Sequence, residues 1–133
     1  AHIVYSEIDE MPASFSGYWT QTQLRSQLGY DGAVFCDDLN MKATTKYGTM
    51  TDRAKLSLES GCDMVLVCNN RPAAISAVVA LREYSNPLSL VRLARLHGTG
   101  QVMWETLLTS EKWQLATNQL KRELDVPELS LDT

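Results

Sequence analysis

Gly29-Tyr30-Asp31-Gly32-Ala33-Val34-Phe35-Cys36-Asp37-Asp38-Leu39-Asn40-Met41 is the segment that decides the fold class of this chain. Its two glycines mark a turn, because glycine accepts backbone angles that other residues avoid. The run 33–36 has no polar alternation, which predicts a strand buried on both faces, as in a parallel sheet. Asp37 and Asp38 follow at the end of this strand, where parallel α/β sheets place their chemistry.

The aspartate pair has two explanations at this point. Asp38 would serve as the N-cap of a helix that begins near Leu39. Alternatively, one of the two is a catalytic carboxylate, since a buried strand has no structural need for two aspartates at its end.

Composition narrows the class of protein. The 133 residues are 44% hydrophobic, which is enough for one domain with a buried core. A net charge of -4 without a basic patch argues against a nucleic-acid partner. No apolar run approaches the roughly 20 residues that span a bilayer, and no secretory leader is visible. We therefore expect no membrane partner and a cytoplasmic location.

The three cysteines, Cys36, Cys62 and Cys68, lie in apolar contexts and form no C-x-x-C pair. We expect reduced core thiols of a cytosolic protein. Zinc sites have a characteristic ligand spacing that the sequence lacks, so we predict no metal and no cofactor.

Three apolar segments, whose starts lie about 30 residues apart as in βα units, predict strands over 1–5, 33–36 and 63–68. Glycines or an Asn-Pro pair end the intervening helical patterns, which cover 18–28, about 51–60 and about 72–83. Right-handed crossovers would make the strands neighbours in one parallel sheet. The pattern fits three units of a (βα)-barrel or an open doubly wound sheet.

The C-terminal part is predicted to be helical. Arg92 and Arg95 face outward in a helical pattern over 88–96, and later tryptophans and leucines recur at roughly helical spacing, which indicates packing. The last residues have few apolar side chains and are expected to fray. We predict one domain over 1–133, with βα units in 1–86, helices in 87–124 and a tail in 125–133.

Several segments carry a family resemblance. Phe35-Cys36-Asp37-Asp38-Leu39-Asn40-Met41 resembles the F-S-D-D-L-S-M segment of bacterial β-N-acetylhexosaminidases of glycoside hydrolase family three. Ala1-His2-Ile3-Val4-Tyr5-Ser6 is similar to their A-H-V-I-Y-S strand, and 12–14 and 28–32 are similar to their P-A-S and L-G-F-D-G segments. The run 61–70 matches their G-C-D-M-V-L-V-C-N-N almost without change. The likeness is close over about the first 80 residues and loose over the helical tail.

The resemblance implies an α/β chain that forms the last three βα units of a TIM (β/α)8 barrel, followed by C-terminal helices. It implies a retaining, metal-independent exo-glycosidase that releases terminal N-acetylglucosamine from peptidoglycan-derived muropeptides during cytoplasmic cell-wall recycling. Asp37 matches the family nucleophile, and Asp38 would support it by capping or by hydrogen-bonding a neighbouring loop. Met41 matches a residue that lines the sugar pocket, and His2 lies at a strand end near that pocket.

The sequence also departs from the family pattern. A complete barrel needs eight βα units and about 250 residues. The family's K-H-F-P-G-H-G loop, with its substrate-binding lysine and histidine and a nearby acid/base histidine, has no match here. Retaining hydrolysis needs a proton donor as well as a nucleophile. Two hypotheses follow: part of a β-N-acetylhexosaminidase, or an inactive fragment or degenerate homologue that self-associates through exposed sheet edges.

Overall fold

The computed structural model describes residues 1–98, 100 and 102–124, and it combines helices with a parallel sheet. The chain divides into two compact units, Ala1–His97 and Gly98–Thr133. The predicted extent of a single domain stays a prediction, and the predicted tail lies outside the described residues.

The elements of the first unit are, in chain order, a 3-10 turn Ala13–Phe15, a π-type helix Tyr18–Gln27, strand β1 (Phe35–Asp38), a 3-10 helix Lys42–Tyr47, helix α1 (Met50–Ser60), strand β2 (Met64–Leu66), helix α2 (Arg71–Ala80) and helix α3 (Pro87–Ala94). The second unit contains helices α4 (Trp104–Thr109) and α5 (Glu111–Leu124).

The described sheet has two strands, and β1 pairs with β2 in parallel, as the sequence predicted for these two segments. Phe35 lies opposite Met64 and Asp38 opposite Leu66, so the register shifts between the two pairs. At the shift, the Leu66 amide donates to the Cys36 Sγ at 3.3 Å. An irregularity of this kind bends a strand and redirects its side chains next to the point where β1 ends.

The strand predicted over residues 1–5 is wrong for the described structure. The Ala1 and Ile3 carbonyls, which a neighbouring strand would use, instead accept the amides of Ser14 and Ala13, both at 3.0 Å. Tyr5 makes only an isolated antiparallel bridge with Asp9. The backbone of the segment is thus hydrogen-bonded to the turn that follows it, and the segment does not extend the sheet.

The prediction that both faces of the strands are buried is also wrong. Cys36 is buried, whereas Phe35 on the other face is 45% exposed, and Met64 and Leu66 of β2 are 38% and 37% exposed. One face of the sheet therefore packs on the helices and the other lies open. The buried core beneath the sheet comprises Phe15, Cys36, Leu39, Met50, Ala54, Cys62 and Ala77.

Local capping signals set the helix ends. Thr49 and the residue three positions later form a capping box at the start of α1, and Gly61 ends that helix with φ +115°. Asn70 and Asn86 cap α2 and α3, each followed within two residues by a proline. The predicted helices are confirmed within a few residues at each end.

The Tyr18–Gln27 helix is confirmed in place but not in type. Its closing bond runs from the Leu28 amide to the Gln23 carbonyl, five residues back, which is the π pattern. Just before this helix, the Ser16 hydroxyl accepts the Trp19 amide at 3.1 Å. Leu28, which follows the helix, is exposed.

In the second unit, the Ser110 hydroxyl accepts the Trp113 amide at 3.2 Å at the start of α5. The rings of Trp104 and Trp113 meet edge to face with centroids 6.0 Å apart. Leu115 and Leu120, predicted as packing positions, are exposed in the described unit.

Candidate active site

Polar side chains collect where β1 and β2 end. Asp37 and Asp38 close β1, and Asn69 and Asn70 follow β2 within a few residues. Because the strands are parallel, their carboxyl ends lie at the same edge of the sheet. In parallel α/β domains this is the edge that carries reactive groups.

Asp37 is partly buried and lies in the part of β1 where the register shifts. Its Oδ1 accepts the amide of Asp38 at 2.8 Å, which fixes the side chain against its own backbone. Within the described residues its Oδ2 has no hydrogen-bond partner. One carboxylate oxygen is therefore anchored and the other is available to a ligand.

Asp38 has a different environment, although it is the next residue. Its Oδ1 accepts two backbone amides, that of Asn40 and that of Cys68, both at 2.9 Å. The second bond links the end of β1 to the residue that follows β2. Asp38 does not cap a helix, since the next helical turn has Met41 at its N-cap. Of the two supporting roles expected for Asp38, the structure shows hydrogen bonding to a neighbouring loop.

A pair of amide side chains strengthens this link. Asn70 Nδ2 donates to Asn40 Oδ1 at 3.1 Å, and Asn40 Nδ2 donates to the Cys68 carbonyl at 3.4 Å. Asn69, between Cys68 and Asn70 in the sequence, has φ +56°, a left-handed conformation that is uncommon outside glycine. Residues in such conformations cluster at functional sites.

His2 lies at the same edge and contacts the backbone there. Its Nε2 lies 3.0 Å from the Asp38 carbonyl, and its ring packs at 5.4 Å from that of Phe15. The Nδ1 atom is buried without a hydrogen-bond partner among the described residues. His2 thus contacts the backbone of the aspartate pair and not its carboxylates.

Met41 lies in the loop that leaves β1, and its side chain is 44% exposed. Its carbonyl lies 2.7 Å from the Thr44 hydroxyl, whose oxygen is also 2.8 Å from the Leu39 carbonyl. Arg53 Nη1 donates to the Leu39 carbonyl at 2.7 Å and to the Thr44 hydroxyl at 3.1 Å. These bonds fix the backbone of the loop and leave the Met41 side chain accessible beside the strand end.

A buried ion pair at the start of β2 was missed by the sequence analysis. Asp63 accepts Arg25 Nη2 at 2.6 Å and Arg92 Nη1 at 3.1 Å, and its side chain is 1% exposed. Arg92 therefore does not face outward as predicted. An aspartate at the start of an apolar strand was the available signal, since a buried carboxylate requires partners.

Asp63 accepts two further hydrogen bonds, from the Ser89 hydroxyl at 2.6 Å and the Val34 amide at 2.8 Å. Burial, the largest single influence, raises the pKa of Asp63, but the bonds from Ser89, Val34 and Arg92 and the charge of Arg25 together lower it below the ordinary value. The network joins β2 to the Tyr18–Gln27 helix, to the start of β1 and to α3. It lies at the opposite end of the strands from Asp37 and supports the sheet.

The described residues contain no cluster of three or more metal-ligating side chains. All three cysteines are free thiols; Cys36 and Cys62 are buried, and burial raises the pKa of both. Cys68 is exposed, so the prediction of three core thiols is wrong for this one. Among the described helices, none is long and apolar enough to cross a membrane.

Fold and site together define the class of protein. It is a parallel α/β domain with an aspartate at the carboxyl edge of its strands, and one carboxylate oxygen of that aspartate has no partner among the described residues. Comparison with known proteins identifies the family. Residues 1–95 match the glycosyl hydrolase family 3 N terminal domain, and the chain belongs to this family. The predicted resemblance and the predicted α/β fold, drawn from a TIM-barrel-like domain, are both confirmed.

Individual relatives agree with this assignment. The chain is 42% identical over 132 residues to a Beta-hexosaminidase of Thioalkalivibrio sulfidiphilus, which covers 99% of this chain and 38% of that protein. It is 44% identical over 133 residues to a Beta-hexosaminidase of Alkalilimnicola ehrlichii, with the same coverage. A crystal structure of NagZ from Neisseria gonorrhoeae in complex with N-trifluoroacetyl-D-glucosamine superposes with a TM-score of 0.66 at 32% identity, covering 90% of this chain and 34% of that one.

The chain thus spans little more than a third of the length of these relatives.

Proposed function

We propose that this chain is the nucleophile-bearing part of a family 3 β-N-acetylhexosaminidase, and that Asp37 is the nucleophile. The observation that carries the proposal is the contrast within the aspartate pair: Asp38 binds two backbone amides, whereas Asp37 keeps Oδ2 without a partner in the described part of the chain. The substrate class is supported by the Beta-hexosaminidase relatives and by the N-trifluoroacetyl-D-glucosamine bound to the NagZ neighbour.

The proposed reaction has two steps. In the first, a carboxylate oxygen of Asp37 bonds to the anomeric carbon, the bond to the leaving oxygen breaks, and an acid protonates that oxygen. In the second, the conjugate base takes a proton from water, whose oxygen displaces Asp37 from the same carbon. The stereochemistry at the anomeric carbon is therefore retained. The acid is expected from outside this chain.

Two further residues are proposed to shape the site. Met41 would contact the sugar with its exposed side chain, from a loop whose backbone is held by Arg53. His2 would act on the substrate site indirectly, because its Nε2 is engaged by the Asp38 carbonyl. A hydrogen bond to the backbone of the pair is suited to positioning Asp37 and leaves Nδ1 as the only ring nitrogen open to a further contact.

The proposed substrate, pathway and location are taken from the family resemblance. We propose that the substrate is a terminal β-linked N-acetylglucosamine of peptidoglycan-derived muropeptides, that the reaction belongs to cell-wall recycling, and that it occurs in the cytoplasm. No metal or cofactor takes part in the proposed reaction.

The test is hydrolysis of a chromogenic N-acetylglucosaminide. The chain is assayed alone and after co-expression with the part of N. gonorrhoeae NagZ that does not superpose on it. The Asp37→Ala variant should lose roughly a thousandfold or more of the turnover, the scale expected for removal of a nucleophile. Glu59→Gln, an exposed carboxylate on α1, is the matched control and should change nothing. Full turnover by Asp37→Ala would contradict the proposal.

A second candidate is an inactive fragment or degenerate homologue that self-associates. The open face of the sheet and the unpaired outer edges of its two described strands favour it. Light scattering on the purified chain measures its mass directly. A monomer at micromolar concentration, or Asp37-dependent turnover, would contradict this candidate.

A further inference from the structure

Arg53 on helix α1 is directed at the loop that leaves β1. Its Nη1 donates to the Leu39 carbonyl at 2.7 Å and to the Thr44 hydroxyl at 3.1 Å. Its Nε lies 3.0 Å from the Gly48 carbonyl and 3.3 Å from the Thr49 carbonyl. None of the salt bridges among the described residues includes Arg53. A planar guanidinium that donates to one loop and pairs with no carboxylate is suited to fixing the shape of that loop.

The contact with Thr44 decides the direction of one hydroxyl group. The Thr44 oxygen lies 2.8 Å from the Leu39 carbonyl and 2.7 Å from the Met41 carbonyl. A hydroxyl has one hydrogen and donates to one acceptor at a time, whereas Nη1 of an arginine has two hydrogens. Because Arg53 Nη1 donates both to the Leu39 carbonyl and to the Thr44 oxygen, the hydroxyl hydrogen is left for the Met41 carbonyl.

Burial makes this division of donors strict. Leu39 and Thr44 are both 0% exposed, so water does not reach their polar atoms. A buried carbonyl without a hydrogen bond is costly. Without Arg53, the Leu39 carbonyl would therefore compete for the Thr44 hydroxyl. The Met41 carbonyl would then keep only the Thr44 amide, which donates to it at 3.0 Å.

Met41 connects this arrangement to the candidate site. Its amide donates to the Asp38 carbonyl at 3.2 Å, the same carbonyl that lies 3.0 Å from His2 Nε2. Its side chain is 44% exposed. Since the amide and the carbonyl of Met41 are both hydrogen-bonded, the backbone fixes the direction in which the side chain leaves the loop. A change at Arg53 would reach that side chain through the Thr44 hydroxyl.

We propose that Arg53 is a positioning residue for substrate binding: it directs the Thr44 hydroxyl to Met41 and so holds the Met41 side chain in place for the sugar. The inference rests on the proposed function, in which Met41 contacts the sugar. Arg53 acts through Met41 and not on the sugar itself. Lysine does not reproduce the arrangement, because its single nitrogen lacks the planar fork that serves acceptors on both Nε and Nη1.

The test uses a single-chain fusion in which this chain replaces the part of N. gonorrhoeae NagZ on which it superposes. Hydrolysis of a chromogenic N-acetylglucosaminide gives kcat and KM. Arg53→Lys should raise KM about tenfold and leave kcat within about twofold, because a contact made equally in the ground state and the transition state is weakened. Arg82→Lys makes the same chemical change at an exposed side chain beyond the end of α2, and it should alter neither constant.

A double-mutant cycle with Met41→Ala separates positioning from general stabilisation. If Arg53 acts through Met41, then Arg53→Lys should change the KM of the Met41→Ala variant by less than about twofold. A purely structural role would lower the melting temperature, followed by circular dichroism, and would leave KM unchanged. Either an unchanged KM in Arg53→Lys or an equal effect with and without Met41 would overturn the inference.

Binding of N-trifluoroacetyl-D-glucosamine, the ligand of the NagZ neighbour, keeps this inference separate from the proposed function. Its dissociation constant, measured by fluorine NMR on the fusion, should rise in Arg53→Lys by the same factor as KM, with or without Asp37→Ala. An unchanged dissociation constant would overturn the inference whatever the turnover. Full turnover by Asp37→Ala would contradict the nucleophile and leave the coupling of Arg53 to Met41 standing. Failure of the unsubstituted fusion to bind this ligand would overturn both.

Discussion

Removal of the Asp63 carboxylate should be among the most destabilising single changes available in the first unit. The side chain is 1% exposed and accepts Arg25, Arg92, the Ser89 hydroxyl and the Val34 amide. Asp63→Ala would leave two guanidinium groups, at 9% and 14% exposure, without their buried counterion. It would also leave the Val34 amide and the buried Ser89 hydroxyl without their acceptor.

Breaking a buried ion pair by removing one partner costs about 3–5 kcal/mol. The lower end applies here, because Arg92 Nε retains Asp31 at 3.7 Å as a second, exposed partner. A loss of about 3 kcal/mol is a large part of the 5–15 kcal/mol that stabilises an ordinary domain. For a unit of this size it would lower the melting temperature by roughly 10–20 °C.

Urea unfolding monitored by circular dichroism measures this free energy. Asp31→Ala is the matched control: it removes the same type of side chain from the same Arg92, but its carboxylate is 67% exposed, and exposed pairs contribute little. The reasoning would be refuted if Asp63→Ala cost no more than Asp31→Ala.

The pH dependence gives an independent reading of the same network. The pKa of Asp63 is lowered in the folded chain, because its hydrogen bonds and the arginine charges outweigh the raising effect of burial. A lowered folded pKa means that the group contributes stability above its unfolded pKa of about 3.9 and loses it as the pH falls through the folded pKa. Stability should therefore fall on acidification below about pH 4, and Asp63→Asn should make that fall shallower. Equal acid sensitivity in the two proteins would contradict this assignment.

Three further predictions concern single positions. Thr49→Ala removes the N-cap of α1 and should lower the free energy of unfolding by about 1 kcal/mol, measured by urea denaturation. Gly61→Val should cost at least about 1 kcal/mol in the same assay, because φ is +115° there and a Cβ would meet the Gln21 side chain; a neutral result would contradict the positive φ. A thiol reagent at pH 8 should label exposed Cys68 rapidly and the two buried thiols only on unfolding, and three equally fast thiols would contradict their burial.

The helices were predictable because their signals are local. A glycine with positive φ and an Asn-Pro pair act within one turn of the residues they organise, so Gly61 and Asn86 set helix ends that the sequence already indicated. The same reasoning located the carboxyl ends of β1 and β2, where the candidate site lies.

Strand partners and ion pairs were less predictable because they depend on distant residues. The apolar run 1–5 has strand character, yet its carbonyls bind Ala13 and Ser14, and no local pattern shows that preference. Arg92 is 29 positions from Asp63, and its spacing on α3 suggested only an outward face. Whether a strand face is buried likewise depends on what covers it, which is why Phe35 is exposed despite its apolar neighbours.

The two aspartates at the end of β1 differ in their hydrogen bonds, and the difference suits Asp38 to a structural role and Asp37 to a chemical one. The register shift between β1 and β2 places Asp38 opposite Leu66, within reach of the Cys68 amide, and the two amides on its Oδ1 commit that carboxylate to joining the strand ends. Among the described residues, Asp37, one residue earlier, receives only the amide of its neighbour. We expect Asp38→Asn to keep the strand ends joined, because its amide oxygen can still accept the Asn40 and Cys68 amides. Asp38→Ala removes this acceptor and should leave both amides free. Amide hydrogen exchange at Cys68 would rise in the alanine variant and stay near the wild-type rate in the asparagine variant. Equal exchange in the two variants would show that the strand ends are held by the Asn40–Asn70 contact and not by Asp38.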